Sequence, residues 1–102
     1  MIHTSQQLDD VETRWREALN RDECPGNPIG IILSMESADP ILGPDQVPEW
    51  HALGLRMVSL SHYGTSTYSH GTATEGGLLP PARPLLRALA EAGIIVDVTH
   101  LT

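Results

Sequence analysis

Residues 93–102 read GIIVDVTHLT. Residues 94–98, IIVDV, read as a buried strand with the acidic Asp97 near its end. Gly93 fits the left-handed residue that follows a helix, and the helix itself is predicted over residues 80–92. There Pro80 and Pro81 belong at the start, Pro84 must still lie in the first turn, and Leu85, Leu86 and Leu89 supply the apolar side. The same order of helix, glycine and apolar strand occurs earlier, as WHALG followed by LRMVSL at residues 50–60. This is a structural repeat without sequence repetition, and it sets the fold class.

Working outward, residues 55–60 are a second predicted strand, and residues 45–53 a short helix with Val47, Trp50 and Leu53 on one side. Asp45 is placed to cap that helix, Pro48 is tolerable only in its first turn, and Gly54 suits its end. IGIILSM, residues 29–35, reads as a buried strand. Residues 4–20 read as a helix with Leu8, Val11, Trp15 and Leu19 on one stripe, and Thr4 and Gln7 have capping-box spacing. ECPGNP, residues 23–28, breaks the pattern after it. Residues 61–77, SHYGTSTYSHGTATEGG, form a long polar loop of the length that is usually functional or disordered.

The order α, β, α, β, α, β with short connections implies right-handed parallel crossovers and an α/β fold. An open doubly wound sheet and part of a barrel both fit. Three strands are few for either, since a small parallel sheet leaves two apolar edges unpaired and a complete barrel takes about 250 residues. The expectation is therefore a segment of a TIM-like (β/α)8 barrel, with three parallel strands and intervening helices, spanning residues 1–102 as one partial domain.

Composition narrows the function. The 102 residues carry a formal charge of −7, which argues against nucleic acid as a partner because phosphate binding needs clustered Lys and Arg. No run of about eighteen apolar residues is present, so no membrane segment is expected. The opening MIHTSQQLDD lacks a basic stretch followed by an apolar one, and Cys24 has no second cysteine to pair with. A reducing, cytoplasmic location suits both facts.

Ligands of α/β sheets and barrels bind beyond the carboxyl ends of the strands. Here those ends carry Glu36, then His62, then Asp97, Thr99 and His100. Each has a plainer reading. Glu36 suits a solvated turn, His62 a hydrogen bond to its own loop, His100 a helix cap, and Asp97 a buried partner inside the sheet. Asp39 before Pro40 suits a turn or cap. His51, His70, Glu75 and His3 read as surface groups. The chain has no H-x-D, no H-E-x-x-H, no paired cysteines, no G-x-S-x-G and no glycine-rich phosphate loop.

Three blocks, GIILSMESADPI (30–41), LGLRMVSLSHYG (53–64) and GLLPPARPLLRALAEAGIIVDVTHLT (77–102), together resemble the membrane (renal) dipeptidase family of zinc peptidases, in order and spacing. The likeness covers residues 29–102. It implies a (β/α)8 barrel with two zinc ions at the carboxyl end of the strands and dipeptides as substrates. It implies that Glu36 is the carboxylate bridging both ions, which in such sites lie roughly 3.5–4 Å apart. It implies that His100 binds substrate and can stabilise the tetrahedral oxyanion. His62 matches a strand-end T/S-H block and receives no role from it; Asp97 is carried as a site-lining candidate. Two departures stand out. The family commonly has glycine where this chain has Ser37, a position where a backbone would approach the site or take an unusual dihedral. The family's H-x-D pair, two further metal histidines and a later Arg and Asp have no counterpart in these residues. The chain is thus expected to be a dipeptidase segment that does not retain the zinc pair and is inactive alone. Two other classes compete: a non-catalytic piece that binds a partner or forms homo-oligomers through its strand edges, and a small α/β ligand-binding domain closed by loop 61–77.

Overall fold

Periodicity and caps place the elements close to where the sequence predicts them. The computed structural model of the chain describes residues 1–21 and 26–102, so Cys24 and the first half of the predicted break at 23–28 lie outside the described residues. The chain divides into two units, Met1–Leu33 and Ser34–Thr102.

In the first unit, α1 spans Ser5–Asn20 with Thr4 as its cap. Both halves of the capping box form: the Gln7 amide donates to Thr4 Oγ1 at 3.2 Å, and Gln7 Oε1 accepts from the Thr4 amide at 3.2 Å. Val11 and Trp15 are half-buried, whereas Leu8 and Leu19, predicted on the same stripe, are exposed. The Trp15 indole donates to the Pro28 carbonyl at 2.9 Å, and the Ile2 amide donates to the Ile31 carbonyl at 2.7 Å.

A three-stranded sheet in the order β1-β2-β3 organises the second unit, with β1 Leu33–Met35, which begins on the last residue of the first unit, β2 Leu55–Ser59 and β3 Ile95–Asp97. It is α/β, as expected, with parallel strands. The strand predicted over 29–35 shortens to three residues, and Ile29, Ile31 and Ile32 are exposed rather than covered. Apolar composition favours a strand, but a ladder forms only where a neighbour supplies hydrogen bonds, and β2 beside it is five residues long.

The helix predicted over 45–53 begins as a 3₁₀ turn, Pro44–Gln46, and continues as α2, Val47–Ala52. Pro48 has no N–H for the Pro44 carbonyl, so the Val47 amide donates to that carbonyl in the tighter pattern. Asp45 does not cap it. The cap is Gly43, without a side-chain bond, and Gln46 Oε1 accepts from the Leu42 amide at 2.8 Å instead. Val47 is buried and Trp50 packs on the core, but Leu53 points to solvent. Helix α3, Ala82–Glu91, buries Ala82, Leu85 and Leu89 against the sheet, with Leu86 packed at the margin. Each of the two fully buried leucines contributes about 1.5–3 kcal/mol. Gly54 and Gly93 after these helices take φ +106° and +71°, as their positions predicted.

The polar loop 61–77 is ordered by its own bridges, Tyr63 to Thr72 and Thr65 to His70, and by Gly71 to Leu101 beyond β3. Its anchor is Tyr68, fully buried in the core, with the hydroxyl donating to the Ile41 carbonyl. Burial, and secondarily the nearby Asp39 charge, push the Tyr68 phenol above its usual range.

Candidate metal centre

The register of β2 and β3 positions the site. Ser59 pairs with Asp97, so His62 and His100 each lie three residues beyond the same rung of the ladder. Glu36 directly follows β1, the strand on the other side of β2. All three therefore emerge at the carboxyl end of one sheet.

Their donor atoms meet. Glu36 Oε1 lies 3.4 Å from His62 Nε2 and 3.7 Å from His100 Nε2, and one ligand atom from each residue lies within 4.8 Å of the others. The two imidazoles meet edge to face, with centroids 4.3 Å apart at 84°. Tyr63 flanks both rings, with centroids at 4.9 Å from His62 and 6.0 Å from His100. The Glu36 side chain is 64% exposed and that of His100 only 27%, so the carboxylate faces water while one imidazole is sheltered.

Thr72, in the long loop, ties the histidines together. Its amide donates to the His62 carbonyl at 2.9 Å, and its hydroxyl lies 3.1 Å from His100 Nδ1. That contact leaves His100 Nε2 as the nitrogen directed at Glu36. Sequence reasoning missed Thr72, for which loop length was the only available signal. Gly71 beside it admits no side chain: a Cβ there would lie 2.2 Å from the His62 carbonyl oxygen and 2.9 Å from that of Gly64.

The turn after β1 is equally specified. Ser37 sits at φ +69°, the left-handed region in which glycine is free and other residues are strained. Its amide donates to Ser59 Oγ at 3.1 Å, and its hydroxyl donates to Asp39 at 3.1 Å. The unusual dihedral anticipated for this position is present, and serine adopts it. Asp39 is more than a turn residue: its Oδ1 accepts from the Thr67 amide at 2.8 Å, joining the Glu36 turn to the loop. That backbone bond, foremost, with help from the Thr67 and Ser37 side chains, holds the Asp39 carboxyl below its usual value against a smaller opposing effect of burial.

Asp97 stands apart from the cluster. Its Oδ1 accepts from the Thr99 hydroxyl at 2.5 Å and the Thr99 amide at 2.9 Å, closing a turn that presents His100. Those bonds, the hydroxyl first, lower its pKa. His70 is also structural, with Nδ1 3.2 Å from Thr65 Oγ1 and its amide donating to Gly77. Among the described residues, Glu36, His62 and His100 are the one group of three or more His, Cys, Asp or Glu side chains close enough to share an ion.

Comparison with known proteins gives the arrangement a context. No protein-family model matches the chain. An uncharacterized dipeptidase of Schizosaccharomyces pombe is 30% identical over 81 residues, which cover 74% of this chain and 20% of that protein. A dipeptidase of Claviceps purpurea is 33% identical over 57 residues, covering 52% of this chain and 13% of the relative. Among solved structures, a metallo peptidase from Rhodobacter sphaeroides, liganded with a phosphinate mimic of the dipeptide L-Ala-D-Ala, superposes with a TM-score of 0.64 at 25% identity. That match covers 84% of this chain and 27% of the other. This chain therefore spans only about a fifth of the first relative's length. It is similar to a dipeptidase over that part, and its α/β unit fits the expected barrel segment.

Proposed function

We propose that this chain, a partial membrane-dipeptidase-like segment, contributes one wall of a metal-dependent site for hydrolysing the amide bond of dipeptides. The observation that carries the reading is the meeting of Glu36 with His62 and His100 at 3.4 and 3.7 Å, at the strand ends where an α/β fold places its ligands. One carboxylate and two imidazoles are a donor set that suits zinc. Zinc held there would supply Lewis acidity toward the scissile carbonyl and a bound water whose pKa is lowered toward about 7.

Each residue has a task that its surroundings support. Glu36 is exposed and has two oxygens, so it can serve two ions as a bridging carboxylate. His100, steadied through Nδ1 by Thr72, can turn Nε2 to the substrate carbonyl and the oxyanion that develops on it. Asp97 positions His100 through the turn at Thr99. The 102 residues alone are inactive on this reading, because they contain no H-x-D pair and so lack the ligands for a pair of zinc ions. The test is titration of the zinc-supplemented chain with L-Ala-D-Ala, followed by the His100 ring resonances, with a parallel hydrolysis assay. The expected result is a shift at His100, lost in His100→Ala, with no turnover. A His100 resonance that ignores the dipeptide would remove the substrate-binding role; turnover abolished by Glu36→Gln would overturn the inactivity.

One observation favours a second reading. On β3, at the end of the sheet order, Ile95 is 58% and Val98, just beyond it, 66% exposed, so self-association through this edge is the alternative. Sedimentation velocity separates the two: a concentration-dependent dimer lost in Ile95→Lys supports it, and a monomer throughout excludes it.

A further inference from the structure

We propose that Glu36, His62 and His100 of this chain bind a single divalent transition-metal ion by themselves, with His62 a ligand in its own right. The inference rests on the donor set of the dipeptidase reading and goes beyond it by fixing one ion on these three residues alone, with His100 as a metal ligand rather than only a substrate contact.

The geometry is close to what one ion requires. Metal–ligand bonds of about 2.0–2.1 Å in a tetrahedral site set the ligands about 3.3 Å apart. Glu36 Oε1 already lies 3.4 and 3.7 Å from the two Nε2 atoms, and the histidine pair falls within the 4.8 Å span of the cluster. Small side-chain rotations close the remainder, and the exposed carboxylate is free to make them. The donors come from three different strand ends, two of them held in register by the β2-β3 ladder, so the backbone spaces them before an ion arrives.

The surroundings are those of a ligand set. An imidazole that offers Nε2 to a metal carries its proton on Nδ1 and needs an acceptor there. Thr72 Oγ1 lies 3.1 Å from His100 Nδ1 and can accept that proton. The same residue's amide holds the His62 carbonyl, so one residue of loop 61–77 fixes the His62 backbone and contacts the His100 ring. The alternative is an ion-free Glu–His pair. With Glu36 this exposed, such a pair contributes little to stability and gives no reason for two histidines to converge on one oxygen. Two imidazoles and a carboxylate suit Zn²⁺, Co²⁺ or Ni²⁺ and leave at least one coordination position for water.

The experiment uses the tag-free 102-residue chain. Calorimetric titration with Zn²⁺ measures stoichiometry, and Co²⁺ absorption reports ligand geometry. The expected result is one ion per chain and ligand-field bands of a low-coordinate site. Binding should weaken at least 10-fold in each of His62→Ala, His100→Ala and Glu36→Gln, and should be unchanged in the control His51→Ala. Thr72→Val, as a positioning change, should weaken affinity by about 10–100-fold and alter the Co²⁺ spectrum while the ion still binds. Histidine ring resonances of the unmodified chain give a readout that needs no variant: Zn²⁺ should shift His62 and His100 and spare His51. Absence of binding, binding that survives all three ligand variants, or an unshifted His62 each overturns the proposal. Metal binding without dipeptide recognition would sink the peptidase reading alone, and dipeptide recognition without metal binding would sink this one alone.

Discussion

Gly71→Ala is the sharpest test of how the site is held. A Cβ at Gly71 would meet three atoms closer than side chains tolerate: the His62 carbonyl oxygen at 2.2 Å, Ser61 Oγ at 2.8 Å and the Gly64 carbonyl oxygen at 2.9 Å. Two of these are backbone, so rotamer changes cannot relieve the clash. The His62 carbonyl must retreat by roughly 1 Å to reach ordinary contact. It accepts the Thr72 amide at 2.9 Å, and the Gly64 carbonyl accepts the Gly71 amide at 2.8 Å. Overpacking costs about 1–3 kcal/mol, and each weakened hydrogen bond adds about 0.5–1.5 kcal/mol. An expected loss of about 3 kcal/mol corresponds to a fall in Tm of roughly 12–24 °C for a domain near this size. The assay is thermal and urea unfolding by circular dichroism, with Zn²⁺ titration of the folded fraction, since His62 and Thr72 move together. Gly77→Ala is the internal control, because nothing lies within 4 Å of its Cβ position. A Gly71→Ala chain within about 0.5 kcal/mol of the parent in the same urea series, or one equal to Gly77→Ala, would refute the reasoning.

Three further outcomes are expected. At Ser37, φ +69° penalises β-branched residues most, so Ser37→Val should cost about 1–2 kcal/mol in urea unfolding, whereas Ser37→Gly trades strain against chain entropy and should stay within about 0.5 kcal/mol. Tyr68→Phe leaves the buried Ile41 carbonyl without its donor and should cost about 1–3 kcal/mol, read from the urea midpoint at constant slope. Asp39 has a depressed folded pKa, so its contribution is present above its unfolded value of 3.8 and is lost as pH falls through the lower folded value. Urea midpoints at pH 5 and pH 3 should therefore fall less in Asp39→Asn than in the parent chain; equal falls would remove Asp39 from the acid response.

Much of the architecture was legible in the linear pattern because the signals are local. Helix α1 announces itself through Thr4 and Gln7, which cap within one turn, and α3 through leucines at helical spacing after a run of prolines. Glycines 54 and 93 mark helix ends through a dihedral that only they adopt without cost. Exact limits were less legible, since β1 has strand composition over seven residues but ladder bonds over three, and a ladder requires a partner. Asp45 looked like a cap, yet the missing N–H of Pro48 gave the turn a tighter start that its side chain does not serve.

The candidate site divides along the same line. Strand ends could be read from sequence, and with them Glu36, His62 and His100 as residues at one edge of a parallel sheet. Their convergence to 3.4 and 3.7 Å depends on the Ser59–Asp97 register and on the left-handed turn at Ser37, neither of which composition specifies. Thr72 and Gly71 could not be found at all in a loop of similar polar residues. Their importance arises when the chain folds back so that one threonine reaches two histidines and one glycine lies against a carbonyl. Local propensity selected the elements and their order. Contact between residues far apart in the chain decided which side chains meet, because distance in space is set by pairing and packing rather than by position along the sequence.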